Sequence, residues 1–191
     1  MSRKKTIDRV DLYTATEELI LEEGYSSFHF KALAERLGVA RSTIYNYYDK
    51  KEELITDYMI HLLARSVERI DDTAHDPEPV KGLIRLWSRY AHIHQMLQIM
   101  PYIDQEASDK VRENVRRMFQ LFMEMKEKIG VILTTGEEAE KIRQDVSLST
   151  RIGFIMATVQ IPIQGMTEEE WVEEVYTILR DGLYTKPTDT R

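Results

Sequence analysis

The sequence predicts an all-α protein, with a small N-terminal three-helix unit over residues 1–50 and a larger helical part over residues 51–191. Three observations carry this. Apolar residues recur at three- and four-residue steps through nearly the whole chain, the period of one helix face. The breaks between these stripes hold helix stops and starts: Gly, Pro and Thr-x-x-Glu. No segment alternates convincingly enough for a strand, and no internal repeat or low-complexity tract occurs.

Residues 7–23 form the first expected helix, with Leu12, Ala15, Thr16, Leu19 and Ile20 on one face and Gly24 closing it. Tyr25 and Phe28 lie beyond as plugs for a small core. Phe30, Leu33, Ala34 and Leu37 give a short second helix, which Gly38 stops by supplying positive φ. Val39 is the apolar plug of the turn. A third helix over residues 41–47 is almost wholly polar, with only Ile44 and Tyr48 suited to face inward. Asp49-x-x-Glu52 reads as a capping box for a fourth helix over residues 51–70, with a stripe of Leu54, Ile55, Tyr58, Met59, Leu62, Leu63 and Val67.

Residues 72–79 read as a linker, with Asp76 as N-cap and Pro77 in the next first turn. Further helices are expected over residues 78–97, 105–131, 137–161 and 168–184. Met100-Pro101 breaks the first of these, Thr135-x-x-Glu138 caps the third, and Thr167-x-x-Glu170 caps the last. Residues 185–191 should fray.

With 42% apolar residues in 191, the chain can bury a sizeable core. It has no cysteine, which excludes disulfides, thiolate zinc sites and cysteine nucleophiles. No run of about 18 apolar residues predicts a membrane span, and the basic start MSRKKTIDRV lacks the apolar core of a signal peptide. A cytoplasmic protein is expected. The net charge is −7, yet residues 1–51 are net +1 and the rest carries the acidity.

A seven-residue helix as polar as residues 41–47 buries too little to stand alone, and the DNA major groove accepts such a helix. The segment closely resembles the helix-turn-helix of the TetR/AcrR family of bacterial transcriptional regulators. The resemblance lies in Gly24-Tyr25, Leu33-Ala34-Glu35-Arg36-Leu37-Gly38-Val39, Ser42-Thr43-Ile44-Tyr45-Asn46-Tyr47-Tyr48 and Lys51-Glu52-Glu53-Leu54. It covers the first quarter of the chain. His29 and Ala40 depart from it, standing where the family usually has Ser or Thr as N-caps.

The resemblance implies that Arg41, Ser42, Thr43, Tyr45, Asn46 and Tyr47 lie on the recognition helix. Arg41 has a fork suited to guanine and Asn46 an amide suited to adenine. Tyr45 suits a thymine methyl or a phosphate, and Thr43, Tyr47 and Lys51 suit phosphates, as does Lys31 near the start of the second helix. Arg3, Lys4 and Lys5 are either a phosphate-seeking arm or a solvated terminus. The resemblance further implies that residues 51–191 form a ligand-binding and dimerisation domain. The expected partners are a double-stranded DNA operator, a second copy of the chain and a largely apolar small-molecule effector. One recognition helix contacts few base pairs, so two related by dimer symmetry are needed to read a palindrome.

Trp87, Tyr90, His94, Met118, Phe122, Met125 and Phe154 are candidate ligand contacts, because methionines and aromatics adapt to apolar molecules. At helical spacing the same residues also make ordinary core. Phe154, Trp171, Val175 and Ile178 are candidates for the dimer seam, with intrachain core as the alternative. His92 and His94 point about 200° apart on a helix and cannot share a metal. Neither metal nor cofactor is expected. No glycine-rich phosphate loop, Ser-His-Asp set or Glu-x-x-His pair points to catalysis, so no enzyme is expected. Two rival readings stay open: an architectural or partner-recruiting DNA binder without a small-molecule switch, and an all-α enzyme resembling the family only at its N-terminus.

Overall fold

The computed structural model describes residues 7–90 and 98–182, the side chains of residues 137 and 138 excepted. Nine α-helices occupy these residues, and none of them forms a strand. In chain order they are α1 (Arg9–Glu23), α2 (Phe30–Leu37), α3 (Arg41–Tyr45), α4 (Lys51–Thr73), α5 (Pro79–Arg89), α6 (Asp109–Ile132), α7 (Gly136–Lys141), α8 (Leu148–Ala157) and α9 (Glu168–Asp181). Short 3-10 turns lie at Met100–Tyr102 and Thr158–Gln160.

The chain groups into two compact units. One is drawn from Met1–Leu62 and Gln95–Gln120, the other from Leu63–His94 and Leu121–Arg191. Both α4 and α6 therefore contribute residues to each unit. At 1.5 Å per residue, the 23 residues of α4 reach about 34 Å.

In the first unit, Asp8 caps α1 by accepting from the Val10 amide at 2.8 Å. Leu12, Leu19, Phe28, Leu33, Ile44 and Leu54 are buried together with the aromatic body of Tyr58. Gly38 sits in the left-handed region at φ 61°, ψ 37°. Its amide donates to the Glu35 carbonyl and the Val39 amide to the Ala34 carbonyl, the paired bonds of a Schellman stop.

The first half of α6 belongs to this unit and is joined to it by polar contacts. Asn114 Nδ2 donates to Thr56 Oγ1 at 2.9 Å, Ser108 Oγ donates to Glu53 at 2.7 Å, and Lys50 donates to the Ala107 carbonyl. Glu53 also accepts from the Asp49 amide at 3.1 Å. The start of α4 is thus held by buried Glu53, one position beyond the Glu52 of the expected capping box, because Glu53 faces the interior and Ser108.

In the second unit α9 packs along α5. Leu83, Ile84 and Trp87 are buried on one side, with Trp171, Val172 and Val175 on the other. Trp87 Nε1 donates to the Ile155 carbonyl at 3.1 Å, which satisfies its buried donor. Lys81–Glu173 and Arg85–Glu169 pairs line the rim, and Ser88 Oγ donates to Glu168 at 2.8 Å. Thr167 and Glu170 form the full capping box of α9.

Three boundaries differ from expectation. Helix α5 starts with Pro79 at its first position after Glu78, so Pro79 rather than Pro77 occupies the first turn. Thr135 Oγ1 turns back to the Val131 carbonyl at 2.8 Å and caps nothing. The helix expected over residues 137–161 is two helices, α7 and α8. Ser147 accepts from the Thr150 amide to start α8, and Arg143 grips Asp145 through both oxygens in the turn before it. Polar side chains that bond the local backbone compete with helix, and here they win.

Candidate nucleic-acid interface

Helix α3 spans five residues, two fewer than expected. The Asn46 amide bonds the Thr43 carbonyl and the Tyr47 amide the Ile44 carbonyl, so the last turn tightens to three-residue spacing. Ala40 provides no side-chain cap at its start. What anchors this segment is the pair Ile44 and Tyr48, both buried, between exposed neighbours. Arg41, Ser42, Tyr45, Asn46 and Tyr47 are all exposed, and Thr43 is half-buried. Tyr45 and Tyr47 leave 42% and 40% of their surface open, unusually much for large aromatics.

These side chains are ordered before any partner arrives. Arg41 Nη2 donates to the Tyr45 hydroxyl at 2.7 Å and its guanidinium lies 5.2 Å from that ring's centroid. The Tyr45 ring meets Phe30 edge-on at 5.2 Å. The Tyr47 hydroxyl accepts from the Ile7 amide at 3.1 Å, which ties the start of the chain to this face. The other two expected contacts differ from each other. Lys31 is exposed and lies 3.9 Å from Glu35. Lys51 is half-buried, 3.4 Å from both the Tyr25 and Phe28 carbonyls and 4.3 Å from the Tyr25 ring centroid. Arg3, Lys4 and Lys5 lie outside the described residues.

A polar cluster beneath this face went unread in the sequence. Asp57 on α4 accepts from Arg9 Nη2 at 2.9 Å, Tyr13 Oη at 2.9 Å and Tyr48 Oη at 2.5 Å. Burial alone would raise the Asp57 carboxyl, but the Tyr48 and Tyr13 hydroxyls and the Arg9 charge outweigh it and hold it below the usual carboxylate range. Burial and the Asp57 carboxylate push the Tyr48 hydroxyl far up. Lys110 of α6 sits 4.3 Å from the Tyr48 ring centroid. The cluster fixes α1, α4 and the end of the α3 segment to one carboxylate. Its members are scattered over 48 positions, and no local pattern marks them. Nearby, burial and then the Glu52 charge push the Tyr25 hydroxyl up to about 12.

The remaining expected sites divide by burial. Trp87, Tyr90 and Met125 are buried in the second unit, Met118 is buried in the first, and Phe122 and Phe154 are exposed. His94 and His92 lie outside the described residues. On α6 the inward stripe is Val111, Asn114, Met118, Leu121, Met125 and Ile129, which leaves Phe122 on the outer face. Among the seam candidates, Trp171 and Val175 are enclosed within the chain, whereas Phe154 and Ile178 keep 66% and 51% of their surface open. Among the described residues, no helix is long and apolar enough to cross a membrane.

A helix stopped by a left-handed glycine, a three-residue turn and a short second helix with an exposed polar-aromatic face define a helix-turn-helix DNA-binding protein. The family model for "Bacterial regulatory proteins, tetR family" matches residues 12–58. The chain is 20% identical over 162 residues to the fatty acid metabolism regulator protein of Bacillus subtilis (strain 168), covering 82% of each chain. It is 32% identical over 101 residues to the HTH-type transcriptional repressor KstR of Rhodococcus jostii (strain RHA1), covering 53% of this chain and 43% of that one. The fold matches the crystal structure of FadR from Bacillus subtilis in complex with stearoyl-CoA, with TM-score 0.69, 18% identity, and coverage of 93% of this chain and 100% of that one. Over residues 12–58 the chain carries the N-terminal segment of the TetR family of bacterial regulatory proteins. It is a DNA-binding transcriptional regulator.

Proposed function

We propose that the protein is a cytoplasmic homodimeric repressor that holds a palindromic operator through its two α3 segments and leaves it when a largely apolar small molecule binds the helical region of residues 51–191. The observation that carries the DNA half is the outward set of Arg41, Ser42, Tyr45, Asn46 and Tyr47 around the buried pair Ile44 and Tyr48. A face this polar and aromatic has donors for base edges and planar groups for sugar and methyl contacts. Lys31 and Thr43 suit flanking phosphates. The Lys51 ammonium, placed against two carbonyls, acts on register through Tyr25 and Phe28 more than as a free clamp.

Support for the effector half comes from the relatives: the solved FadR holds stearoyl-CoA, and the Bacillus subtilis relative is a regulator of fatty acid metabolism. A long apolar chain is the effector class to try first. Trp87, Tyr90 and Met125 remain candidate contacts by their burial, and Phe154 and Ile178 are the seam residues with surface to offer a second copy. We assign the chain no catalytic step. For release, the effector must bind the DNA-incompetent form better, and operator DNA must weaken effector binding by the same factor.

The test is fluorescence anisotropy with DNA upstream of the protein's own gene, or with duplexes selected from a random pool, at several salt concentrations. Specific binding should weaken about 10- to 100-fold in Arg41→Ala or Tyr45→Ala with the melting midpoint unchanged. Lys31→Ala should flatten the salt slope by about one unit. If every compound that binds the protein leaves DNA affinity unchanged, the switch is wrong and the architectural reading takes its place.

A further inference from the structure

We propose that Arg151 is the anchor for an anionic oxygen carried by the effector, so that the effector is an apolar chain ending in an acid group rather than a neutral hydrocarbon or sterol. The proposal rests on the reading of residues 51–191 as effector-binding. It starts from an anomaly in α8. The inner face of that helix carries Ile152 and Ile155, both buried. Ile152 and Leu148 lie against Gly130 of α6, 3.4 and 4.0 Å from where a side chain there would begin. Arg151 stands one turn from both Leu148 and Ile155, and its Nε and Nη1 are buried with no hydrogen-bond partner. These two atoms carry three N–H donors.

A guanidinium does not shed its proton, so its charge cannot be avoided by titration. Arg151 as a whole is half-buried, yet the N–H groups on Nε and Nη1 are withdrawn from water, and polar groups so placed are paired in folded proteins because an unpaired one loses its hydration without compensation. Four carboxylates of this unit are engaged elsewhere. Asp145 is held by Arg143, Glu169 by Arg85, Glu173 by Lys81 and Asp71 by Lys128. A second copy of the chain is also an unsuitable source of the counter-charge, since Nε and Nη1 are enclosed within a single subunit. A group that meets them must enter the unit, which buries Leu83, Ile84, Trp87, Ile129 and Ile152 among other apolar residues. An apolar chain with an acid terminus satisfies both demands, and Arg binds carboxylate and phosphate oxygens more strongly than neutral acceptors.

The experiment is isothermal titration of the full-length protein with dodecanoate, dodecanoyl-CoA and methyl dodecanoate. Wild type is expected to bind at least one anionic probe tenfold or more tightly than the neutral ester. Binding of dodecanoate assigns the anion to a carboxylate; binding of dodecanoyl-CoA alone assigns it to the coenzyme's phosphates. Arg151→Met, which keeps the length and removes the charge, should weaken the anionic probe at least tenfold and leave the ester unchanged. It should also keep the dimer mass and a ligand-free melting midpoint at or above wild type, since an apolar replacement of a half-buried charge with unpaired donors is neutral or stabilising. Arg151→Lys should retain an intermediate affinity. The proposal is overturned if wild type binds neither anion, if R151M binds the anions as wild type does, or if R151M melts several degrees lower or dissociates without ligand. The broader reading fails separately. DNA release that is equal in wild type and R151M keeps the switch and removes Arg151, whereas anion binding through Arg151 without DNA release does the reverse.

Discussion

The two compact units treat their interior polar groups differently. In the first, most partners are supplied from within, the Tyr58 hydroxyl excepted: Asp57 gathers Arg9, Tyr13 and Tyr48, Glu53 receives Asp49 and Ser108, and Asn114 reaches Thr56. In the second, Arg151 and the Trp171 indole keep buried donors that nothing among the described residues accepts. A unit that presents a rigid face to DNA benefits from a closed network, which fixes side chains in one arrangement. If the second unit takes up a small molecule, as proposed, it benefits from donors whose partner arrives with the ligand.

The largest effect that tests this contrast is Asp57→Ala. It leaves two tyrosine hydroxyls and an arginine without their shared acceptor, and should cost about 2–3 kcal/mol in chemical denaturation. A loss as small as that of Arg151→Met would erase the distinction between the units. Next comes the Asn114→Ala and Thr56→Val cycle, in which each single change should cost about 1–2 kcal/mol and the double less than their sum.

A pH series sharpens the same comparison. The Asp57 carboxyl titrates lower folded than unfolded, so its contribution is present above about pH 4 and is lost as pH falls through the lower folded value. Asp57→Asn should flatten that acid limb. Tyr25 has the opposite sign: its contribution is present below about pH 10 and is lost as pH rises toward its folded value of about 12. Tyr25→Phe should remove part of the alkaline loss. The smallest effect belongs to the solvent-open rim of the second unit, where Arg85→Ala should leave the melting midpoint in place.

Much of this was legible along the chain. Gly38 after Leu37 and Thr167-x-x-Glu170 act through neighbours a few residues away, so their geometry follows from local spacing. The exposed polar face of α3 was legible because its polarity conflicts with a helix's need for a buried stripe. What stayed hidden depends on partners distant in sequence. Tyr48 faces inward as its position suggests, but its acceptor Asp57 is also shared by Arg9 and Tyr13, and no spacing rule joins them. The division at residues 142–147 was missed because Ser147 and Asp145 look ordinary within an apolar stripe that runs on past them. The seam candidates Trp171 and Val175 have the same composition as exposed contact residues, and only packing against α5 separates them from Ile178.

The membership of Ser108, Lys110 and Asn114 in the first unit has a consequence for how the protein is made. The helix-turn-helix emerges from the ribosome first, but the contacts that hold the start of α4 come from residues more than fifty positions later. At about 5–20 residues per second, seconds pass between the two. During that interval Thr56 and Glu53 face water, and the recognition segment rests on a marginal three-helix core. The helix-turn-helix segment gains these contacts only after the first half of α6 has been synthesised, by which time part of the second unit is already made. The helix-turn-helix segment and the second unit of a newly made chain therefore settle close together in time.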